Sequence, residues 1–376
     1  MLQTCGVPSG EDAGAPGQEA SPFFIAFAGD RCLSPSRLAT LVGAMQEVGV
    51  PIGALLEGTG LSPGAVADPA TLTSCAQFMR VSRNALRLSA RSDLGLLVGT
   101  RLRASSYGMY GYALLCSETV AQMWDLAVRC HPLSGGMLPL HWGREGAHAV
   151  WTFPTRAAFP WADVDERLYR FMIDLQLAAH VTIGKDVMGD WFLPEWAECT
   201  GPRPPHADAL RDRLGCEVRF GAARNALVFP AAWLTRSPQL ANPITASHMA
   251  QHCMRLMDEL RRRAGVTRQV CDELTRTPGR FPDIETVSQR LCMSSRTLRR
   301  RLEDEGVTYS ELLASVRKSL ASDYLLSTRM GSDDIAAALG FSDAESFRHA
   351  FKRWTGLTPR AFRERAGGRA AVAQPL

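Results

Sequence analysis

The chain has 376 residues, 46% apolar and 21% charged, which gives room for two or three domains with sizeable cores and sets disorder aside as an account of the whole. The net charge is +4, and from Cys271 onward 17 Lys+Arg stand against 14 Asp+Glu, a basic surplus too slight by itself to argue nucleic-acid binding. Ten cysteines without a C-x-x-C pair or zinc spacing argue against a disulfide framework, and no run is apolar and long enough for a signal peptide or a membrane span, so the expectation is a cytoplasmic protein with reduced thiols.

Residues 1–30, rich in Gly, Ala, Pro, Ser and Gln, are expected to be a disordered tail, as are residues 371–376. The stretches SRLATLVGAMQEVG, CAQFMRVSRNALRLSA and TVAQMWDLAVRCH repeat apolar residues every three or four positions and predict helices. The pattern then changes. MLPLHW and AHAVWTF flank GREG, and CEVRF and ALVF flank GAARN, which predicts two β-hairpins; DERLYRFMIDLQLAAHVTIG between them is helical again. Residues 31–240 therefore read as one α+β domain. Tyr110, Tyr112, Trp124, His131 and Trp151 are candidates to line an effector pocket, aromatic bodies with polar tips being the usual lining, although core packing explains most such residues.

Residues 241–263 predict a linker helix. Ala246, Met249, Cys253, Leu256 and Leu260 recur at helical spacing for two heptads, too few to argue a coiled coil, so packing on its own domain is favoured over a homodimer contact. His248 and His252 are four apart and share a helical face, but no third ligand accompanies them, so neither metal nor cofactor is expected. No phosphate-binding glycine loop or H-E-x-x-H helix occurs, and isolated Ser, His or Asp residues are no triad, so the chain is not read as an enzyme.

In residues 264–370, MSSRTLRRRLEDE packs four arginines into six positions yet keeps Leu298 and Leu302 four apart. Asp283 predicts the N-cap of a first helix and Ser294 that of a second. Val287 and Leu291 would meet Leu298 and Leu302, leaving Arg296, Arg299 and Arg300 outward, where they can reach phosphates or guanine edges in a major groove. One such helix is equally well a solvated basic face. A second copy decides between the two: Ile335 and Leu339, a turn at Gly340-Phe341, a cap at Ser342, then Phe347 and Phe351, with one extra residue after the turn. TYSELLASVRKSLASDYLLS between them, with Leu312, Val316, Leu320 and Tyr324 on one stripe, predicts a rod of about 18 residues and ~27 Å.

These residues resemble the DNA-binding domain of the AraC/XylS family of bacterial transcription regulators. The resemblance is carried by IAAALGFSDAESFRHAFKRWTGLTPRAFR, Ile335 to Arg363, with its Gly-Phe turn, paired phenylalanines and Gly-x-Thr-Pro close, by MSSRTLRRRL, and by Arg317 in the connecting helix. It implies an all-α domain with two helix-turn-helix motifs on a long helix. The implied DNA contacts are Ser294, Ser295, Arg296, Arg299 and Arg300 in the first unit and Glu345, Ser346, Arg348, His349 and Lys352 in the second. Three residues depart from the family pattern: Cys292 replaces a common glycine and would pay ~1–2 kcal/mol for a left-handed backbone, Ser288 stands where alanine is usual, and His349 replaces a frequent arginine. Leu94 to Leu133 resembles the family's arabinose-binding type of sensing domain, a label that does not imply arabinose.

The resemblance implies a ligand-responsive, sequence-specific regulator, an activator of a metabolic operon, with double-stranded promoter DNA, a small-molecule effector and RNA polymerase as partners. The competing readings are a DNA-bound enzyme of the alkyl-transfer repair type and a regulator controlled by a protein partner.

Overall fold

The computed structural model describes residues 31–367 except 32, 157, 160–163, 264, 277–279 and 329, so both expected tails lie outside the described residues. The helical first part comprises α1 (Ser36–Glu47), the short α2 (Ile52–Leu55) and α3 (Pro63–Ala67), α4 (Cys75–Leu88), α5 (Leu94–Gly99), α6 (Gly108–Cys116) and α7 (Val120–Arg129). The first two helices predicted from periodicity are α1 and α4. A capping box starts α4: Ser74 Oγ accepts from the Gln77 N–H and Gln77 Oε1 from the Ser74 N–H.

The axis of this domain is α8 (Glu166–Met188), 23 residues with most side chains buried and Asp165 as N-cap. Its neighbour α5 lies unusually close because Gly95 and Gly99, four apart, face it. A Cβ on either glycine would stand 2.5 Å from a carbonyl oxygen, of Phe171 and Leu175 respectively.

Five strands form one sheet in the order β1-β2-β5-β3-β4, with β1 (His141–Glu145), β2 (His148–Phe153), β3 (Trp196–Cys199), β4 (Glu217–Phe220) and β5 (Asn225–Pro230). The first predicted hairpin forms, but its turn is Gly146-Ala147, with Gly146 at φ 60°; Gly143 to Glu145 belong to β1. The second does not form. β3, absent from the sequence reading, inserts between β4 and β5, pairing parallel with β4 and antiparallel with β5. Four residues give β3 too short an alternation to stand out, and β4 exposes Glu217 and Arg219, which suits an edge strand. After β4 the chain is tied back to the end of β3, where Gly221 N–H donates to Gly201 O and Ala222 N–H to Cys199 O. Ala149, Trp151, Phe153, Leu227 and Phe229 line the face that joins the main core. The helix α9 (Ala207–Leu214) leads into β4.

The helix α10 (Pro243–Arg263) packs on this domain. Cys253, Met257 and Leu260 are buried in the same core as α8, with Met249 and Ala250 packed against it. The remaining helices, α11 (Val266–Thr275), α12 (Ile284–Arg290), α13 (Ser295–Asp304), α14 (Tyr309–Ser327), α15 (Ser332–Ala338), α16 (Ala344–Thr355) and α17 (Pro359–Gly367), surround a separate apolar cluster. The rod α14 has 19 residues, about 28 Å at 1.5 Å each, and buries Leu312, Val316, Leu320 and Tyr324 as its stripe requires.

Candidate functional site

In the first helix pair, Asp283 caps α12 by accepting from the Thr286 N–H at 2.8 Å, and Ser294 caps α13 by accepting from the Thr297 N–H at 3.2 Å. Val287, Leu298 and Leu302 are buried between the helices and Leu291 is half-buried. The turn reverses at Cys292, which takes φ 55°. Ser288 is buried at the contact and satisfies its hydroxyl by donating to Glu285 O at 2.8 Å, with Ser295 Oγ 3.4 Å away.

The outer face of α13 carries Arg296, Arg299 and Arg300, all exposed. Arg299 Nη2 lies 3.3 Å from Glu285 Oε1, a surface pair that holds the side chain only weakly. Of the other candidates, Ser294 is committed to the cap and Ser295 is half-buried, so their backbone N–H groups at the helix start are the better placed to meet a phosphate.

The second pair repeats the plan with Gly340 at φ 68° and with Ile335, Leu339, Phe347 and Phe351 fully buried. One expectation is corrected. The N-cap of α16 is Asp343, not Ser342: Asp343 Oδ1 accepts from the Ser346 N–H at 2.6 Å, while Ser342 Oγ donates to Asp343 Oδ2 at 2.8 Å. The extra residue after the turn moves the cap one place along, and a carboxylate suits the positive end of the helix dipole. The Ser346 N–H, then the Ser342 and Ser346 hydroxyls, hold the Asp343 carboxyl below its usual range.

Glu345, Ser346, Arg348, His349 and Lys352 are exposed on α16, but they are engaged differently from the arginines of α13. Arg348 Nε folds back to donate to Ala344 O at 3.1 Å, Ser346 Oγ donates to Asp343 Oδ2 at 3.1 Å, and His349 Nε2 lies 3.7 Å from Glu345 Oε1. The first turn of α16 thus presents two carboxylates where α13 presents arginine. The two helices are built alike and charged unlike.

Arg317 fixes the second unit to the rod. Its guanidinium lies between the rings of Phe281 and Phe341, 5.0 and 4.9 Å from their centroids, and Nη2 donates to Gly340 O at 3.3 Å. Glu305, at the end of α13, accepts from the Val266 and Thr267 N–H groups and so caps α11. Neither role was visible in sequence spacing, since each joins segments far apart in the chain.

In the N-terminal domain the effector candidates divide. Trp124 and Trp151 meet at 5.1 Å within a cluster that includes Trp142 and Phe229. Tyr110 is buried and its hydroxyl donates to Ala127 O. His131 is buried beside Leu138 O, 2.8 Å from Nε2, and burial pulls its pKa down to about 3. Tyr112 is 47% exposed and does not join them.

Sequence reasoning missed what lies beside this group. His180 touches the rings of Trp151 and Phe153, and burial pulls its pKa down to about 4. Arg37 is buried and donates to Gln176 Oε1 at 3.3 Å. The available signal was an arginine on the apolar stripe of α1, four and eight residues before Leu41 and Met45. A separate open cleft of about 520 Å³ includes Thr100, Arg103, Lys185, Asp186, Asp190 and Arg213 in its lining, but Arg103 and Asp186 already pair with each other. Among the described residues no group of three or more His, Cys, Asp or Glu could hold a metal, and no helix is long and apolar enough to cross a membrane.

Residues 49–238 match the family model of the arabinose-binding domain of AraC transcription regulators, and residues 287–365 match a helix-turn-helix domain. The chain is 31% identical to the ornithine utilization regulator of Pseudomonas aeruginosa, covering 86% of this chain and 94% of that one. It is 28% identical to an uncharacterized HTH-type transcriptional regulator of Mycobacterium tuberculosis over 85% of this chain and 92% of that one. Among solved structures it is similar to the transcriptional regulator CdpR of P. aeruginosa, at 23% identity and a TM-score of 0.44, covering 88% of this chain and 98% of that one. With both matched regions in this order and a relative aligned over nearly its whole length, the chain belongs to the AraC family of transcription regulators, an arabinose-binding-type domain preceding a helix-turn-helix DNA-binding domain.

Proposed function

We propose that this regulator is ligand-responsive and acts as an activator of a metabolic operon, in the cytoplasm and without catalysis of its own. Residues 31–240 sense a small molecule, 241–263 link, and 264–370 bind promoter DNA. The observation that carries the reading is the pair of helix-turn-helix units on one rod of about 28 Å, near the ~34 Å between successive major-groove faces on one side of a duplex. Arg296, Arg299 and Arg300 read or grip the first site; Glu345, Ser346, Arg348, His349 and Lys352 face the second. The domain type and the ornithine utilization relative support a metabolite as the signal and a catabolic operon as the target. RNA polymerase contact and a homodimer belong to the same proposal.

The alkyl-transfer alternative needs a reactive thiolate; burial pushes three of the thiols, Cys199, Cys216 and Cys271, up to about 12, away from reactivity, and the exposed Cys292 stands on the turn of the first helix pair with no group of possible metal ligands among the described residues.

The test is binding of the full chain to the promoter regions beside its own gene, followed by in vitro transcription with and without candidate metabolites. Affinity should fall steeply between 50 and 200 mM salt, as counterion release demands. Arg300→Ala should cost ~1–3 kcal/mol at one base position if it reads guanine. Uniform weakening on every sequence would reassign Arg300 to phosphate. Transcription that never responds to a metabolite would remove ligand control.

A further inference from the structure

A charged guanidinium cannot shed its proton inside a protein, so a buried arginine requires an anion or a full set of acceptors. Arg37 has neither among the described residues. It is 7% exposed, its one side-chain acceptor is the neutral amide oxygen of Gln176, and Nε is buried with no partner. The ring of Phe78 lies 5.2 Å from the guanidinium and supplies no counter-charge of its own. Asp174, two residues before Gln176, points around α8 to His206, whose Nε2 is 2.8 Å from Asp174 Oδ2.

The groups around Arg37 form a coherent set. His180 sits one turn after Gln176 on α8, and its Nδ1–H donates to Gln176 O at 2.8 Å, which leaves Nε2 as a lone-pair acceptor. Tyr107, the buried Cys75 and His131 also act electrostatically on the guanidinium, Tyr107 and Cys75 as groups that are uncharged in their phenol and thiol forms. Both histidines are neutral at pH 7, so they add no second positive charge beside the guanidinium, and an imidazole supplies no counter-charge in either form. His180 and Tyr107 are half-buried beside Arg37, and desolvation lowers the pKa of the one and raises that of the other.

We propose that Arg37, with Gln176 and His180, forms a buried anion site whose occupant is the carboxylate of the effector. The guanidinium Nε–H and a terminal N–H grip the two oxygens in the fork geometry that arginine offers a carboxylate. The Gln176 amide stands beside the pair, and His180 Nε2 accepts from a donor elsewhere on the ligand. The aromatic neighbours Phe78, Trp151 and Phe153 exclude water, which strengthens the ion pair. This inference rests on the effector reading above and narrows it to acids.

The experiment is thermal unfolding of the full chain at fixed ionic strength with benzoate, hexanoate and glutarate, each beside its primary amide, and with arabinose as a neutral control. A bound ligand raises Tm by mass action. The expected result is a saturable rise with at least one acid, none with its amide, and loss of the rise, at least tenfold in apparent Kd, in Arg37→Met. The unliganded Arg37→Met protein should melt no lower than wild type, because it no longer buries an unpaired charge. If it fails to fold, Arg37→Lys, which keeps a charge but loses Nε and the fork, carries the same comparison. An acid response equal in wild type and variant overturns the site, as does no acid response in wild type. A response to an amide or arabinose alone leaves ligand control standing and sinks the acid assignment. No response to any of these compounds, with transcription equally indifferent to metabolites, sinks both.

Discussion

Cys292 holds φ 55° at the turn position that Gly340 holds with φ 68° in the second helix pair. It is the one non-glycine residue at positive φ among the described residues. The Cβ of an L-residue crowds the carbonyl there, at a cost of ~1–2 kcal/mol, and the thiol is free and exposed rather than packed in the core. Cys292→Gly should therefore stabilise the DNA-binding domain by about 1 kcal/mol, part of the strain relief being lost to the entropy of glycine. Urea denaturation of the two proteins checks this. An unchanged or lower midpoint would mean that the turn tolerates the side chain without strain.

A second prediction concerns the close crossing of α5 and α8. Cβ atoms at Gly95 and Gly99 would stand 2.5 Å from Phe171 O and Leu175 O, and backbone cannot swing aside as a side chain does. Gly95→Ala and Gly99→Ala should each destabilise the N-terminal domain by about 1–3 kcal/mol, the usual cost of overpacking, while DNA binding by the helix-turn-helix units stays intact. Chemical denaturation read by tryptophan fluorescence measures the first; anisotropy on promoter DNA measures the second. A loss of stability below about 0.5 kcal/mol would show that the helices separate easily.

The buried histidines predict a pH dependence with a definite sign. His131 and His180 have folded-state pKa values pulled down to about 3 and about 4, against about 6.5 for an unfolded histidine. Their contribution is fully present above about pH 6.5 and is lost as pH falls toward 4 and then 3, because the unfolded chain takes up protons that the folded one refuses. Within that window each histidine contributes a slope of up to about 1.4 kcal/mol per pH unit. Asp174, its pKa raised by burial, works in the opposite sense at the acid end. His180→Gln should flatten the fall in stability between pH 6.5 and 5. An equally steep fall in the variant would place the proton uptake elsewhere.

The helix-turn-helix units were legible because their defining contacts are local. Val287 against Leu298 and Ile335 against Phe347 span about a dozen residues, and the i, i+4 pairs that make them recur twice in the chain. The sheet was not legible to the same degree. The insertion of β3 between β4 and β5 depends on pairings such as Ala197 with Leu227, which no periodicity encodes. The same holds for Arg37 and Gln176, 139 positions apart. Ser342 and Asp343 show a third case: two good capping residues stood side by side, and only the length of the turn decides which one caps.

The last prediction turns on His349, where this chain departs from the usual arginine. It is exposed on the outer face of α16 with Nε2 3.7 Å from Glu345 Oε1, on the face expected to meet DNA. An imidazole cannot offer the two-pronged cationic contact of an arginine, and the Glu345 carboxylate beside it opposes a polyanion. His349→Arg should therefore strengthen promoter binding and steepen its loss with salt, because one more cation releases counterions from the phosphates. Promoter affinity of wild type and His349→Arg between about 50 and 200 mM salt is the measurement. Equal affinity and equal salt slopes in both proteins would show that position 349 does not meet DNA, and α13 with its three outward arginines would then carry the electrostatic hold alone.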